Sequence, residues 1–155
     1  VSGQDGRLCQ SAINQPLVTA LFNLVKNPNP MNKILKYTHG HETELLALLS
    51  EESDWSSFLD AAAIDTFRQC LLETETYVCE SEGQICGYLR AIVDGFGVYV
   101  SELYVAPQHR GNGFGVRLLG RIKQAFPNQE VYVLSDEDLY YEKLGYQRIG
   151  SIFQL

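Results

Sequence analysis

No stretch of the 155-residue sequence approaches the roughly 20 consecutive apolar residues that a membrane-spanning helix needs. The longest apolar run near the start, PLVTALFNLV, lacks the basic leader and small-residue cleavage site of a secretory signal, so a cytoplasmic protein with no membrane partner is expected. Cysteine is scarce: Cys9, Cys70, Cys79 and Cys86 form no C-x-x-C pair, and His39, His41 and His109 add no ligand spacing around them, so no metal is expected. Basic residues are also few. With 12 Lys and Arg against 19 Asp and Glu, the net charge of −7 disfavours a nucleic-acid partner, because neutralising phosphates takes clustered cations. Repeats and low-complexity tracts are absent, and a hydrophobic content of 45% with 20% charge is too apolar for a disordered chain. The length suits one domain.

What charge there is falls unevenly. Residues 41 to 82 carry eleven acids and one cation, Arg68, whereas residues 109 to 123 carry Arg110, Arg117, Arg121 and Lys123 and no acid. One part of the surface repels anions and another invites them. Methionine occurs once, as Met31, directly after the breaker-rich NPNP. Residues 1 to 30 therefore read as a leader before a start at Met31, or as an arm with one helix over Leu17 to Lys26, and residues 31 to 155 as a single domain.

From Met31 onward, periods of two and 3.6 alternate. Strands are expected over Ile34 to Thr38, Thr76 to Glu80, Gln84 to Val93, Gly97 to Val105, Glu130 to Leu134 and Tyr146 to Phe153. Helices are expected over Glu42 to Glu51, Phe58 to Glu75, Gly115 to Phe126 and Asp136 to Leu144. The order β-α-α-β-β-β-α-β-α-β describes an α/β (α+β) fold with a central mixed sheet flanked by helices. A two-residue turn at Glu82-Gly83 puts Cys79 opposite Cys86 by counting outward, with both expected as reduced, half-buried thiols. Strict alternation puts Tyr99, Ser101, Leu103 and Val105 on one sheet face and Val100, Glu102 and Tyr104 on the other.

The stretch APQHRGNGFGVRLLGRIKQAF, residues 106 to 126, sets Gly111, Gly113 and Gly115 between a strand and a helix. Such a junction turns unpaired backbone N–H groups and the positive end of a helix toward an anion, most plainly a phosphate. G-x-x-x-x-G-K-[ST] is absent, and G-x-G-x-G is not the dinucleotide spacing G-x-G-x-x-G. What remains is Arg110-x-x-Gly113-x-Gly115, overlapped by Gln108-x-x-Gly111-x-Gly113. In this form YVAPQHRGNGFGVRLL resembles the acetyl-CoA pyrophosphate loop of the GNAT-type N-acetyltransferases. LYYEKLGY, residues 139 to 146, is similar to that superfamily's C-terminal signature, and the order of elements from residue 31 matches its fold, so the resemblance spans about four fifths of the chain.

The resemblance implies an enzyme that moves an acetyl group from acetyl-CoA to a primary amine by direct attack in a ternary complex; a non-catalytic acyl-CoA-binding module is the alternative. It implies that Gln108, Arg110, Gly111, Asn112, Gly113, Phe114 and Gly115 hold the pyrophosphate, and that Leu103, Tyr104 and Val105 lie along the pantetheine arm. Arg117, Arg121 or Lys123 are candidates for the 3′-phosphate of CoA or, equally, a solvated helix face. Tyr141 takes the place of the residue that protonates the departing thiolate, with Tyr140 behind it, and Glu102 is the one carboxylate on its strand placed to act as base, directly or through water. Ser135 and Asp138 can cap the tyrosine helix, and Gly145 can end it. Relatives commonly carry an asparagine ahead of that helix, where this chain offers Ser135, and two strands after it, where this chain has one. A sheet edge is thereby left for the arm or for a second subunit of a homodimer to cover. The acid excess of residues 41 to 82 lies on the expected acceptor side and points to a cationic small-molecule or peptide amine.

Overall fold

The computed structural model of the protein describes residues 31–155; the expected arm and its helix lie outside the described residues. Five strands form one sheet in the order β1-β2-β3-β4-β5. β1 (Asn32–Lys36), β2 (Glu75–Ser81), β3 (Gln84–Val93) and β4 (Gly97–Val105) pair antiparallel in turn, and β5 (Glu130–Val133) pairs parallel to β4. A parallel neighbour needs a crossover, which helix α4 (Phe114–Ala125) supplies. Glu82 and Gly83 join β2 to β3, with φ of 54° and 83°, the double left-handed turn whose twist suits a tight hairpin.

Helices cover both faces of the sheet. On one, α1 (Glu42–Leu49) and α3 (Ile64–Glu73) press Leu45, Leu49, Phe67 and Leu71 against Val78, Tyr88 and Tyr104. On the other, Leu118, Leu119 and Ile122 of α4 meet Tyr77, Leu89, Ala91, Val98 and Val100. Each helix buries residues four apart, which is what puts them on one stripe. Truncating one of these fully buried leucines to alanine costs about 2–5 kcal/mol.

The helix expected over Phe58 to Glu75 is two helices, α2 (Ser56–Leu59) and α3. Asp60 breaks the run: its Oδ1 accepts the N–H groups of Ala62 (3.0 Å) and Ala63 (2.9 Å), offering the backbone a turn in place of a continuous helix. Two bulges also alter the expected registers. Cys79 aligns with Gly87, and Cys86 is the extra residue beside it. The sulfurs of Cys79 and Cys86 still meet at 3.4 Å as buried free thiols. In β4, Arg90 aligns with Glu102 and Ala91 with Val100, so Ser101 is extra. Alternation resets there, and Val98, Val100, Leu103 and Val105 all face α4.

The fold is the expected mixed α/β sheet, without its last strand. Residues 146 to 155 form no ladder, and Ile149, Ile152 and Phe153 stand 72%, 70% and 82% exposed. Alternating apolar residues make a strand only where a sheet edge receives their backbone groups; here the tail is not laid on β5. Among the described residues no helix is long and apolar enough to cross a membrane.

Candidate active site

A turn over Pro107–His109 leads from β4 into the glycine loop. Gly111 and Gly113 take φ of 77° and 76°, a left-handed conformation that a side chain disfavours. Gly113 is the N-cap of α4, and the first intrahelical bond runs from the Arg117 N–H to the Gly113 carbonyl at 3.1 Å. The N–H groups of Phe114, Gly115 and Val116 precede that bond and have no acceptor within the helix. Gly115 is glycine for another reason: a Cβ there would stand 2.4 Å from the Tyr140 hydroxyl. Two glycines shape the loop, and the third lets a tyrosine lie against it.

β4 outlasts its partner. Its pairing with β5 ends at Val100–Val133, with the Leu134 N–H donating to the Val100 carbonyl at 3.0 Å, while β4 runs on to Val105. The two strands part at the Ser101 bulge, and the parting opens a cavity of about 790 Å3. Glu102, Leu103, Tyr104, Val105, Arg110, Gly111, Gly113, Phe114 and Gly115 all line it, as do Tyr140 and Tyr141 from α5 (Asp138–Lys143). Phe114 is only 2% exposed, so it offers the cavity backbone and no free ring edge. Gln108 and Asn112 are exposed and lie outside the lining; the Asn112 amide donates to the His109 carbonyl at 3.1 Å and braces the loop. Arg110 folds back, its Nε donating to the Val105 carbonyl at 2.8 Å.

Residues 73–148 match the sequence family described as the acetyltransferase (GNAT) domain. Over those residues the chain is a GNAT acetyltransferase domain. Among solved structures, it is similar to the aminoglycoside N-acetyltransferase AAC(6')-Iy in complex with CoA, at 17% identity and a TM-score of 0.66, over 80% of this chain and 93% of that one. The same enzyme in complex with the bisubstrate analogue CoA-S-monomethyl-acetylneamine gives 14% identity and 0.67, over 80% and 96%. A GNAT-family acetyltransferase of Streptococcus pneumoniae TIGR4 gives 19% and 0.60, over 81% and 98%. A transcriptional regulator from Bacillus halodurans C-125 gives 16% and 0.64, over 80% and 98%. At such identities the likeness shows the fold alone, and no curated protein sequence matches the chain significantly.

Within this cavity Glu102 is neither solvated nor outward. Its side chain is 9% exposed, and its two carboxylate oxygens accept Nε and Nη2 of Arg90, each at 2.5 Å. Beside the pair lies the Tyr88 phenol, fully buried; burial, with the Glu102 charge next, pushes its pKa well up and keeps it protonated. Sequence reasoning missed Arg90. Counting outward from the β3–β4 turn sets it opposite Ser101, and only the bulge sets it opposite Glu102.

α5 begins at Asp138, two residues later than the sequence suggests. Ser135 caps the turn before it, its Oγ accepting the Glu137 N–H at 2.9 Å, and Asp138 is used by Arg148 at 3.1 Å. Gly145, at φ 82°, ends the helix as expected, with the Tyr146 N–H returning to the Tyr141 carbonyl at 3.1 Å. Tyr141 packs on the α4-side core, and burial, then Tyr140 and Asp136, raise its phenol pKa. On the far side of α5 a second cavity, of about 820 Å3, follows β5 and the C-terminal tail; Tyr141 reaches it too, but the glycine loop does not.

The surface charges sort themselves. Of the acids in residues 41 to 82, Glu42 and Asp65 pair with Arg68, Glu75 pairs with Lys36, and Glu44 accepts the Ile85 N–H at 2.8 Å. Glu52 and Asp54 line the cavity, with Trp55 and Phe58 beside them. Trp55 packs edge-on to Tyr104 at 5.8 Å, and the Tyr104 hydroxyl donates to Glu52 at 3.2 Å. Trp55 and Phe58 escaped the sequence reading: Trp55 falls between two expected helices, and Phe58 reads as the start of a helix facing the core. None of the α4 cations lines the cavity: Arg117 donates to the Asn32 carbonyl at 2.9 Å, Arg121 lies over Tyr77, and Lys123 lies over Tyr146.

Proposed function

We propose that the protein transfers the acetyl group of acetyl-CoA to a primary amine, by direct attack within a ternary complex. One observation carries this reading: the parting of β4 from β5 makes a single cavity of the bare strand edge, the glycine cradle, Glu102 and the α5 tyrosines. The free N–H groups at the start of α4 receive the pyrophosphate, with Arg110 at hand for its charge. Leu103, Tyr104 and Val105 offer the pantetheine amides an unpaired strand edge. An N–H on that edge also polarises the thioester carbonyl. The outer phosphate of CoA meets no α4 cation in this arrangement.

The chemistry then needs two protons moved. An alkylammonium of pKa about 10 must lose one to become a nucleophile, and a thiolate of pKa about 8.5 must be stabilised as it leaves. The amine nitrogen attacks the thioester carbon, forming C–N and breaking C–S. The ammonium first gives one proton to water beside Glu102. As C–S breaks, the sulfur takes a hydrogen bond and then a proton from Tyr141, and the second proton, shed by the nitrogen as it becomes an amide, returns through water to the Tyr141 phenolate. Burial keeps the Tyr141 proton in place until negative charge grows on the sulfur. The acceptor enters past Glu52, Asp54, Trp55 and Phe58. Carboxylates beside aromatic faces suit a cation, so a polyamine, an aminoglycoside-like amine or a basic peptide amine is the acceptor class.

Release of CoA thiol is measured with acetyl-CoA and a panel of such amines, for the wild type and Tyr141→Phe. Acceptor-dependent turnover is expected, with kcat at least tenfold lower in the variant, about 1.4 kcal/mol of transition-state stabilisation, and KM for acetyl-CoA within about twofold. Tight CoA binding with no turnover on any amine would leave a non-catalytic acyl-CoA-binding module as the reading. Turnover unchanged in Tyr141→Phe would remove the tyrosine from the mechanism, and neutral amines outpacing every cation would remove the cationic acceptor.

A further inference from the structure

Arg90 sits behind Glu102 as the cavity sees it. Glu102 lines the cavity and Arg90 does not, yet the guanidinium engages both carboxylate oxygens, and the two side chains are 11% and 9% exposed. The Ser101 bulge makes this possible, since it alone brings the two residues into register. The Ser101 hydroxyl donates back to the Arg90 carbonyl at 3.3 Å and closes the bulge.

A carboxylate so held keeps one lone pair on each oxygen for a ligand, and the fork of the guanidinium fixes where those lone pairs point. The charge matters as much as the aim. A bare carboxylate beside an incoming ammonium favours its protonated form, and a protonated amine cannot attack. Pairing with Arg90 offsets that effect, so the amine is oriented by Glu102 without being trapped as its salt-bridge partner.

We propose that Arg90 is a positioning residue for the acceptor amine, acting through Glu102: it fixes the carboxylate and neutralises it, so that the bound amine can give up its proton. This rests on the reading of Glu102 as the acceptor-side carboxylate of an acetyl transfer. It makes an unusual demand on the kinetics. Removing Arg90 should leave the amine bound as well or better while slowing its reaction, the opposite of what general damage to the site does.

The test compares wild type, Arg90→Met, Arg90→Lys, Glu102→Gln and the Arg90→Met/Glu102→Gln pair in the full chain, each checked for folding by thermal melting. The amine used is whichever panel member the wild type turns over fastest. Arg90→Met is expected to lower kcat at least tenfold while KM for the amine stays within about twofold or falls, and KM for acetyl-CoA is unmoved. Arg90→Lys, which keeps the charge but not the fork, is expected to regain part of the kcat loss. In the Glu102→Gln background Arg90→Met is expected to cost less than about twofold more. If Arg90→Met does not fold, Arg90→Lys and the double variant, which leaves no unpaired charge, carry the comparison. A kcat loss of the same size with and without Glu102, or a rise in amine KM that accounts for the loss, overturns the proposal and leaves Arg90 a structural clamp. A Glu102→Gln variant as active as wild type instead removes Glu102 itself from the site, and Arg90 with it. No turnover in the wild type defeats the acetyl-transfer reading.

Discussion

Gly87 joins the fold to the site more directly than any residue that lines the cavity. It stands in the first bulge of β3, and a Cβ there would lie 2.3 Å from the Tyr104 carbonyl oxygen, 2.9 Å from Val105 Cα and 3.1 Å from the Cys79 sulfur. Two of those neighbours are backbone and cannot swing aside. Alanine must therefore push β4 away from β3 where the Ala106 N–H donates to the Cys86 carbonyl at 2.9 Å, the last bond before the glycine loop. Overpacking of this kind costs roughly 1–3 kcal/mol and the strained hydrogen bond about 1 more. At about 2–4 °C per kcal/mol for a chain of this size, Gly87→Ala should lower Tm by about 4–16 °C. Gly120, inside α4 with nothing within 4 Å of its would-be Cβ, is the control. Gly120→Ala should raise stability by up to about 1 kcal/mol through helix propensity alone. Thermal melting and urea titration read both, and KM for acetyl-CoA reads the shift of β4, expected to rise in Gly87→Ala only. A Gly87→Ala protein that melts within about 1 °C of wild type would falsify the close approach of β3 and β4 and the anchoring derived from it.

Asp60→Ala should destabilise the protein by about 0.5–2 kcal/mol, because it orphans the N–H groups of Ala62 and Ala63; Asp60→Asn should lose much less, and equal losses in urea titrations would show that the turn does not depend on that oxygen. Alkaline pH supplies another check. Burial first, then the charges of Glu42 and Glu52 respectively, pushes the phenols of Tyr37 and Tyr104 from 10.0 to about 12. Since the neutral phenol is the favoured form in the native state, its contribution to stability is whole below pH 10 and is lost as pH rises through about 12. Urea midpoints should fall across that window, less steeply in Tyr37→Phe and Tyr104→Phe, and a slope unchanged in both variants would contradict this assignment.

Much of the molecule is written in short-range pattern. The glycine loop was readable because Gly111 and Gly113 answer to a backbone conformation, and the helix after it because Leu118, Ile122 and Phe126 repeat every four residues. The turn at Glu82-Gly83 and the cap at Gly145 were readable for the same reason: each is decided within a few residues by φ. Long-range pairing is another matter. Whether Cys79 meets Cys86 or Gly87, and whether Glu102 meets Arg90 or water, depends on two bulges that no local preference announces. A bulge is chosen by how two whole strands must twist to pack against α1, α3 and α4 at once. The tail over residues 146 to 155 makes the same point in reverse: its pattern suits a strand, but a strand exists only with an edge to pair. Sequence alone thus determined the glycine loop, the tyrosine helix and the resemblance to the GNAT acetyltransferases, since each rests on neighbours in the chain. The cavity, the Arg90–Glu102 pair and the Trp55 corner were decided by tertiary structure, because they are built where strands part and distant helices meet.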